Sequence, residues 1–198
     1  MVKAFFIQYK FLTPDSIKHS SYTYQKLFRA LYGYTQNVSK SNGKSYKYHR
    51  SGVLSKGPYI RPGKNCVIIS KDQLSPLFDF FKTGRNPTHK WVGKGDWKAV
   101  YYMNEKEVPV TELIKPLESL LDRTYISLSG ESPHRLEQAL ANLFASTGQS
   151  TKKTSEAYRK SLLEAANRLT TNDWFTLSSS KSARLKNFHA LVSRLRRA

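Results

Sequence analysis

Cysteine occurs once in this chain, at Cys66. A lone thiol closes no internal disulfide and supplies no zinc-ligand spacing. Its place in the apolar run Cys66-Val67-Ile68-Ile69 suits a small buried hydrophobe. The five histidines, His19, His49, His89, His134 and His189, show neither His-x₃-His nor Cys/His spacing, so no local metal site is expected. A glycine-rich phosphate loop is also missing. Asn42-Gly43-Lys44-Ser45 ends as such a loop does, but it lacks the earlier glycine at the right distance and the apolar strand before it. Nucleotide hydrolysis therefore has no footing, and no cofactor is expected. No run approaches the roughly 18 consecutive apolar residues needed to span a bilayer. The opening Met1-Val2-Lys3-Ala4-Phe5-Phe6-Ile7-Gln8 turns polar too early for a signal peptide. The expectation is a cytoplasmic protein with no membrane partner.

Acidic residues are scarce as well. Only 14 Asp and Glu stand against 33 Lys and Arg in 198 residues, a formal net charge of +19. Small domains stay soluble with a net charge of roughly 2 to 8, so the excess costs self-repulsion that a polyanionic partner would offset. DNA and RNA carry a phosphate at every nucleotide, and neutralising several of them releases counterions. Hydrophobic residues at 39% and aromatics at 13% supply enough apolar material for a folded core, which excludes a disordered basic tail. The charge is also blocked. Residues 1–50 hold 9 basic and 1 acidic residues, 51–100 hold 9 and 3, 101–150 hold 4 and 7, and 151–198 hold 11 and 3. That pattern suggests two basic contact surfaces joined by a structural middle.

Periodicity predicts an α+β chain. Residues 4–12 read as a strand that stops at Thr13-Pro14-Asp15, and residues 21–32 as a helix with Tyr24, Leu27, Phe28 and Leu31 on one face and Gly33 as its stop. Asn42-Gly43 is the dipeptide a primed turn favours, so residues 35–40 and 45–50 form an expected β-hairpin. A loop over 53–63, a buried strand over 65–70 and a helix carrying Leu74, Leu77, Phe78 and Phe81 follow. Residues 89–103 read as two strands around Gly93-Lys94-Gly95-Asp96, and 110–121 as a helix interrupted or started at Pro116. Ser132-Pro133 reads as an N-cap and first helical residue before the stripe Leu136, Ala139, Leu140, Leu143 and Phe144. Two further stripes, Tyr158 to Leu169 and Leu185 to Leu195, complete a helical region. The expected architecture is an N-terminal mixed α/β domain with a basic β-hairpin over 1–127, followed by a small C-terminal three-helix domain over 128–198.

Three constellations are candidates for function. The hairpin interleaves Lys40, Lys44, Lys47, His49 and Arg50 with Tyr46 and Tyr48, and Lys56, Arg61 and Lys64 continue the charge with no acidic residue between Ser16 and Lys71. Lysines and arginines of this kind hold phosphates while tyrosines stack on exposed bases; a hairpin packed on the preceding helix also resembles the wing of a winged helix-turn-helix. The bland alternative is a solvated hairpin with its tyrosines in the core. The last helix is the second candidate, with Arg184, Lys186, Arg194, Arg196 and Arg197 beside an apolar stripe. It suits phosphate contact, or docking of a protein partner or self-association through the C-terminal helices. The third is catalytic. Asp96-Trp97-Lys98 followed by Ala99-Val100-Tyr101 resembles the acid-x-Lys tail of a core strand in PD-(D/E)XK nucleases, with Asp79 upstream as the first acid. That resemblance implies a Mg²⁺-dependent nuclease, although no Pro-Asp pair precedes it and Asp79 falls on a predicted helix. A metal-free RNase using Tyr48, His49 and Arg50 is chemically sufficient too. The leading expectation is a nucleic-acid-binding protein, for DNA or RNA, without a resident metal.

Overall fold

The computed structural model describes residues 1–39, 43, 45–89, 95–126, 133–146 and 156–197. It is a mixed α+β chain in two compact units, Met1–Val108 and Pro109–Ala198. The helix following Pro109 belongs to the second unit.

The first unit is built on β1 (Val2–Leu12), whose aromatic and β-branched residues favour an extended chain. It pairs antiparallel with β5 (Cys66–Ile69) on one side and β6 (Lys98–Val108) on the other, and β4 (Tyr59–Ile60) pairs with β5, giving the order β4-β5-β1-β6. The expected loop over 53–63 thus contains β4, and also a short 3₁₀ turn at Val53–Lys56. Alternation sends Ile7, Tyr9 and Phe11 to one face, where helices α1 (Tyr22–Tyr32) and α2 (Leu74–Thr83) cover them with Leu27, Leu31, Leu77 and Phe80. Phe11 meets Phe28 edge-on at 5.4 Å and Trp97 at 5.5 Å, pairs worth about 0.5–1.5 kcal/mol each beyond their buried area.

Local chemistry sets the helix ends. Ser21 Oγ accepts from Tyr24 N at 3.2 Å at the start of α1, an N-cap worth about 1 kcal/mol. Gly33, at φ 73°, stops α1 and donates its N–H to Arg29 O at 2.8 Å. From there the chain enters the antiparallel hairpin β2 (Tyr34–Ser39) and β3 (Ser45–Arg50), with Ser39 opposite Ser45. Gly43 has a positive φ of 75°, but Ser39 opposite Ser45 is one residue off the Ser39–Tyr46 pairing that a two-residue Asn42-Gly43 turn gives; Asn42 lies outside the described residues.

Of the two strands expected over 89–103, the first lies largely outside the described residues and the second is β6. Residues 90–94 lie outside the described residues, Asp96 and Trp97 are not in a strand, and one strand runs from Lys98 to Val108. Its polar second half, Asn104-Glu105-Lys106-Glu107, carries it past the expected end at Met103. An edge strand pairs on one side only and tolerates such residues on its exposed surface.

The second unit holds α3 (Val110–Arg123), which runs through Pro116 without stopping, a two-residue pairing of β7 (Tyr125–Ile126) with β8 (His134–Arg135), and then α4 (Leu136–Ser146), α5 (Glu156–Thr170), α6 (Asp173–Ser178) and α7 (Ala183–Arg197). Pro133 does not open α4. His134 and Arg135 are taken by the ladder with β7, Leu136 N donates to Thr124 O at 2.9 Å, and the helix starts at Leu136. Helix α6 adds a fourth helix to the expected three. Asn172 caps it by accepting from Trp174 N at 3.0 Å, and it buries Trp174 and Phe175. Six residues are too few to display a helical period. No helix among the described residues is long and apolar enough to cross a membrane.

One buried polar contact ties strand to helix in the first unit: the Tyr9 and Tyr32 hydroxyls lie 2.8 Å apart. Burial pushes both phenols above their ordinary range, so both remain protonated. Tyr9→Phe leaves the Tyr32 hydroxyl buried without that partner and is expected to cost about 1–3 kcal/mol in urea unfolding, whereas Tyr9→Phe with Tyr32→Phe recovers most of the loss. Because the folded-state pKa values are raised, their contribution is complete below the unfolded phenol value of about 10 and is lost as pH rises beyond it. The alkaline limb of the stability profile should therefore be shallower in the double variant.

Candidate nucleic-acid interface

The hairpin grows directly out of α1, and its root is held where two backbone segments touch. A Cβ on Gly33 would lie 2.8 Å from Gly52 N, and one on Gly52 would lie 2.7 Å from Leu31 O, so neither position accepts a side chain without a shift. Ser55 Oγ accepts from Gly52 N at 2.7 Å and donates to Tyr32 O at 3.1 Å. Thr88 Oγ1 donates to Ser51 O. These contacts fix the direction in which β2 and β3 leave the helix.

Cations and aromatic rings converge at that root. The Arg29 guanidinium lies 5.0 Å from the Tyr22 ring centroid and 4.8 Å from that of Tyr34, and Lys26 Nζ lies 4.9 Å from Tyr22. Tyr34 is the cross-strand partner of Arg50 and Gln36 that of Tyr48. Arg50 Nε donates to Gln36 Oε1 at 3.4 Å, and its guanidinium lies 6.0 Å from the Tyr48 ring. Tyr22 is 54% exposed. No carboxylate occurs anywhere on α1, β2 or β3. Burial first, then the positive charges of Lys26 and Arg29, holds His89 below the ordinary imidazole range, so it is neutral at pH 7. A guanidinium held between two rings loses less freedom on meeting a phosphate than a free one does.

The expected site residues distribute unevenly about this cluster. Tyr48, His49 and Arg50 are on β3; Lys40 and Lys44, and the side chains of Tyr46 and Lys47, lie outside the described residues. Arg61 stacks on Tyr32 at 4.2 Å and is exposed. Lys64 belongs to a separate groove on the sheet with Lys10. Lys56 lines a cleft of about 440 Å³ shared with Asp72, Asp79 and Arg85, a mixture of signs that does not select phosphate. Tyr22, Lys26, Arg29 and Tyr34 escaped the sequence reading, although positions 22, 26 and 29 fall on one helical face.

The basic C-terminal helix is partly committed to its own unit. Arg184 Nη2 lies 2.7 Å from Glu137 Oε2 and 2.9 Å from Asp122 Oδ1, and its Nε donates to Glu137 at 3.2 Å. Arg196 donates to Asn167 and Thr170 of α5, and Arg159 donates to Leu195 O at 3.0 Å. Lys186, Arg194 and Arg197 are exposed. The apolar stripe expected to dock a partner is buried at Leu185, Phe188, Val192 and Leu195.

The catalytic candidates lie on different elements. Asp79 is exposed on α2, Asp96 is exposed ahead of β6, and Lys98 opens that strand. The cleft beside Asp79 includes neither Asp96 nor Lys98. Among the described residues, no group of three or more His, Cys, Asp and Glu could hold a metal ion. Comparisons with protein-family models, curated proteins and solved structures found no match for this chain.

Arg184 and Lys186 provide a contrast within one helix. Arg184→Ala is expected to lower stability by about 1–2 kcal/mol after allowance for solvent screening, while Lys186→Ala stays within about 0.5 kcal/mol of wild type. Parallel urea titrations measure both.

Proposed function

We propose that this chain is a nucleic-acid-binding protein whose principal contact surface is the root of the hairpin and the adjoining face of α1. The observation that supports this best is Arg29 seated between Tyr22 and Tyr34, with Lys26 and Arg50 beside it and no carboxylate on the three elements involved. Lys26, Arg29 and Arg50 would neutralise phosphates and release counterions, while Tyr22 and Tyr48 would offer ring faces to bases. Arg61 extends the track along the same unit, which carries 19 basic and 6 acidic residues. DNA or RNA is the partner, and the cytoplasm the site of action. The exposed cations Lys186, Arg194 and Arg197 of α7 form a secondary contact set. The role in this reading is binding rather than hydrolysis, and the cleft that Asp79 lines includes neither Asp96 nor Lys98.

Three measurements test this. Arg29→Gln with Arg50→Gln is expected to weaken binding of a labelled oligonucleotide by about 10- to 100-fold, and unchanged affinity would exclude the surface. In an NMR titration, bound phosphate should offset the charges of Lys26 and Arg29, so the His89 pKa rises on binding; linkage then makes binding tighten as pH falls through the His89 titration. Incubation of DNA or RNA with Mg²⁺ should leave the strands intact, and cleavage abolished by Asp96→Ala would instead restore the nuclease reading.

A further inference from the structure

The sheet has a second face. Tyr101 stacks on Phe78 at 4.8 Å and lies 5.5 Å from Phe81, which places the odd-numbered residues of β6 on the side of α2. The pleat then sends Lys98, Val100, Tyr102, Asn104 and Lys106 the opposite way. Glu105 shares the α2 side through its cross-strand partner Phe5, and Glu107 through Lys3. The strand thus divides its charges, with its lysines on one face and its carboxylates on the other. On β1, Tyr9 is buried while Gln8 and Lys10, the partners of Tyr102 and Val100, are exposed.

A groove of about 580 Å³ opens on this face, lined by Gln8, Lys10, Lys64, Asn65, Val100 and Tyr102 together with Tyr9 and Tyr101. Its contents are selective. Tyr102 is 60% exposed, an aromatic ring kept in water with no ring or cation partner among the described residues. Lys10 and Lys64 contribute positive charge with no carboxylate in the lining. Gln8 and Asn65 contribute two amides, and Asn65 Oδ1 is buried without a hydrogen-bond partner among the described residues. Asn65 holds the left-handed φ of 57°, which an asparagine adopts more readily than most residues, and its backbone carbonyl accepts from Tyr9 N at 2.9 Å.

We infer that this groove is a second binding site, one that takes an unpaired nucleotide of a single strand. A base stacks on Tyr102, the amides of Gln8 and Asn65 meet its edge, and Lys10 and Lys64 hold the flanking phosphates. The charge separation on β6 argues for a polyanion, and the exposed ring argues for a single strand. Bases inside a duplex are stacked on one another and present only edges, whereas unpaired bases offer faces to aromatic residues on a sheet. The inference rests on the nucleic-acid reading above and adds its substrate class.

The test compares one labelled oligonucleotide, single-stranded and then annealed to its complement, against wild type, Tyr102→Ala, Tyr102→Phe and Lys10→Gln with Lys64→Gln, all at one salt concentration. Thermal melts confirm that each variant is folded. Tyr102→Ala is expected to weaken single-strand binding about tenfold and duplex binding less than about twofold, with Tyr102→Phe close to wild type because the ring is kept. The double lysine variant should weaken single-strand binding by a similar factor. Single-strand binding unchanged in folded Tyr102→Ala, or lost equally for both strand forms, overturns this inference alone. A wild type that binds neither form overturns both readings.

Discussion

A strand bonded to neighbours on both sides leaves its side chains only two directions, and β1 places its residues under that constraint. Its pairing with β5 and β6 puts Ile7, Tyr9 and Phe11 into the core beneath α1 and α2, and leaves Gln8 and Lys10 on the open face. A slip of one residue would exchange these sets, moving aromatic rings into water and an ammonium into the core. The Tyr9–Tyr32 hydroxyl contact then carries the register of β1 to the end of α1. One residue further on, Gly33 turns the chain into the hairpin. The core, the direction of the hairpin and the chemistry of the open face therefore follow from one strand register.

Charge follows a different logic in each unit. The acidic block over 101–150 looks in sequence like a spacer between two basic surfaces. In the second unit it serves as internal counter-charge: Asp122 and Glu137 receive Arg184, and Glu118 accepts from Ser182 Oγ at 2.6 Å. The first unit has no comparable supply of acids, so its cations rest on rings instead, as Arg29 does on Tyr22 and Tyr34 and Arg61 does on Tyr32. Stacking leaves a guanidinium charged and its donors available, whereas a bidentate carboxylate engages them. The unbalanced charge of the molecule is consequently concentrated in Met1–Val108, with 19 basic and 6 acidic residues.

Strong local signals made much of the fold legible. Ser21 and Gly33 bracket α1, Gly84 at φ 74° ends α2, and the period of two in β1 is visible in its aromatic residues. Features set by tertiary pairing were not legible. Nothing local distinguishes His134-Arg135 as ladder residues from the start of a helix after Pro133, and the charged second half of β6 offers no apolar alternation to carry the expected strand past Met103. The candidate surface was half visible: Tyr48 and Arg50 stood out by composition, but Arg29 acquires its role only when Gly33 folds Tyr34 back toward the helix. Arg184 was misleading for the same reason, since its partners Asp122 and Glu137 lie 62 and 47 residues away in sequence.

The salt dependence of binding measures most directly the proposed contact between the uncompensated charge of the first unit and a phosphate backbone. For the wild-type protein log K is expected to fall linearly with log of salt concentration, by about 0.7 to 0.9 for each phosphate neutralised. With Lys26, Arg29, Arg50 and Arg61 engaged, the slope should correspond to several phosphates. An affinity that does not change with salt would contradict it.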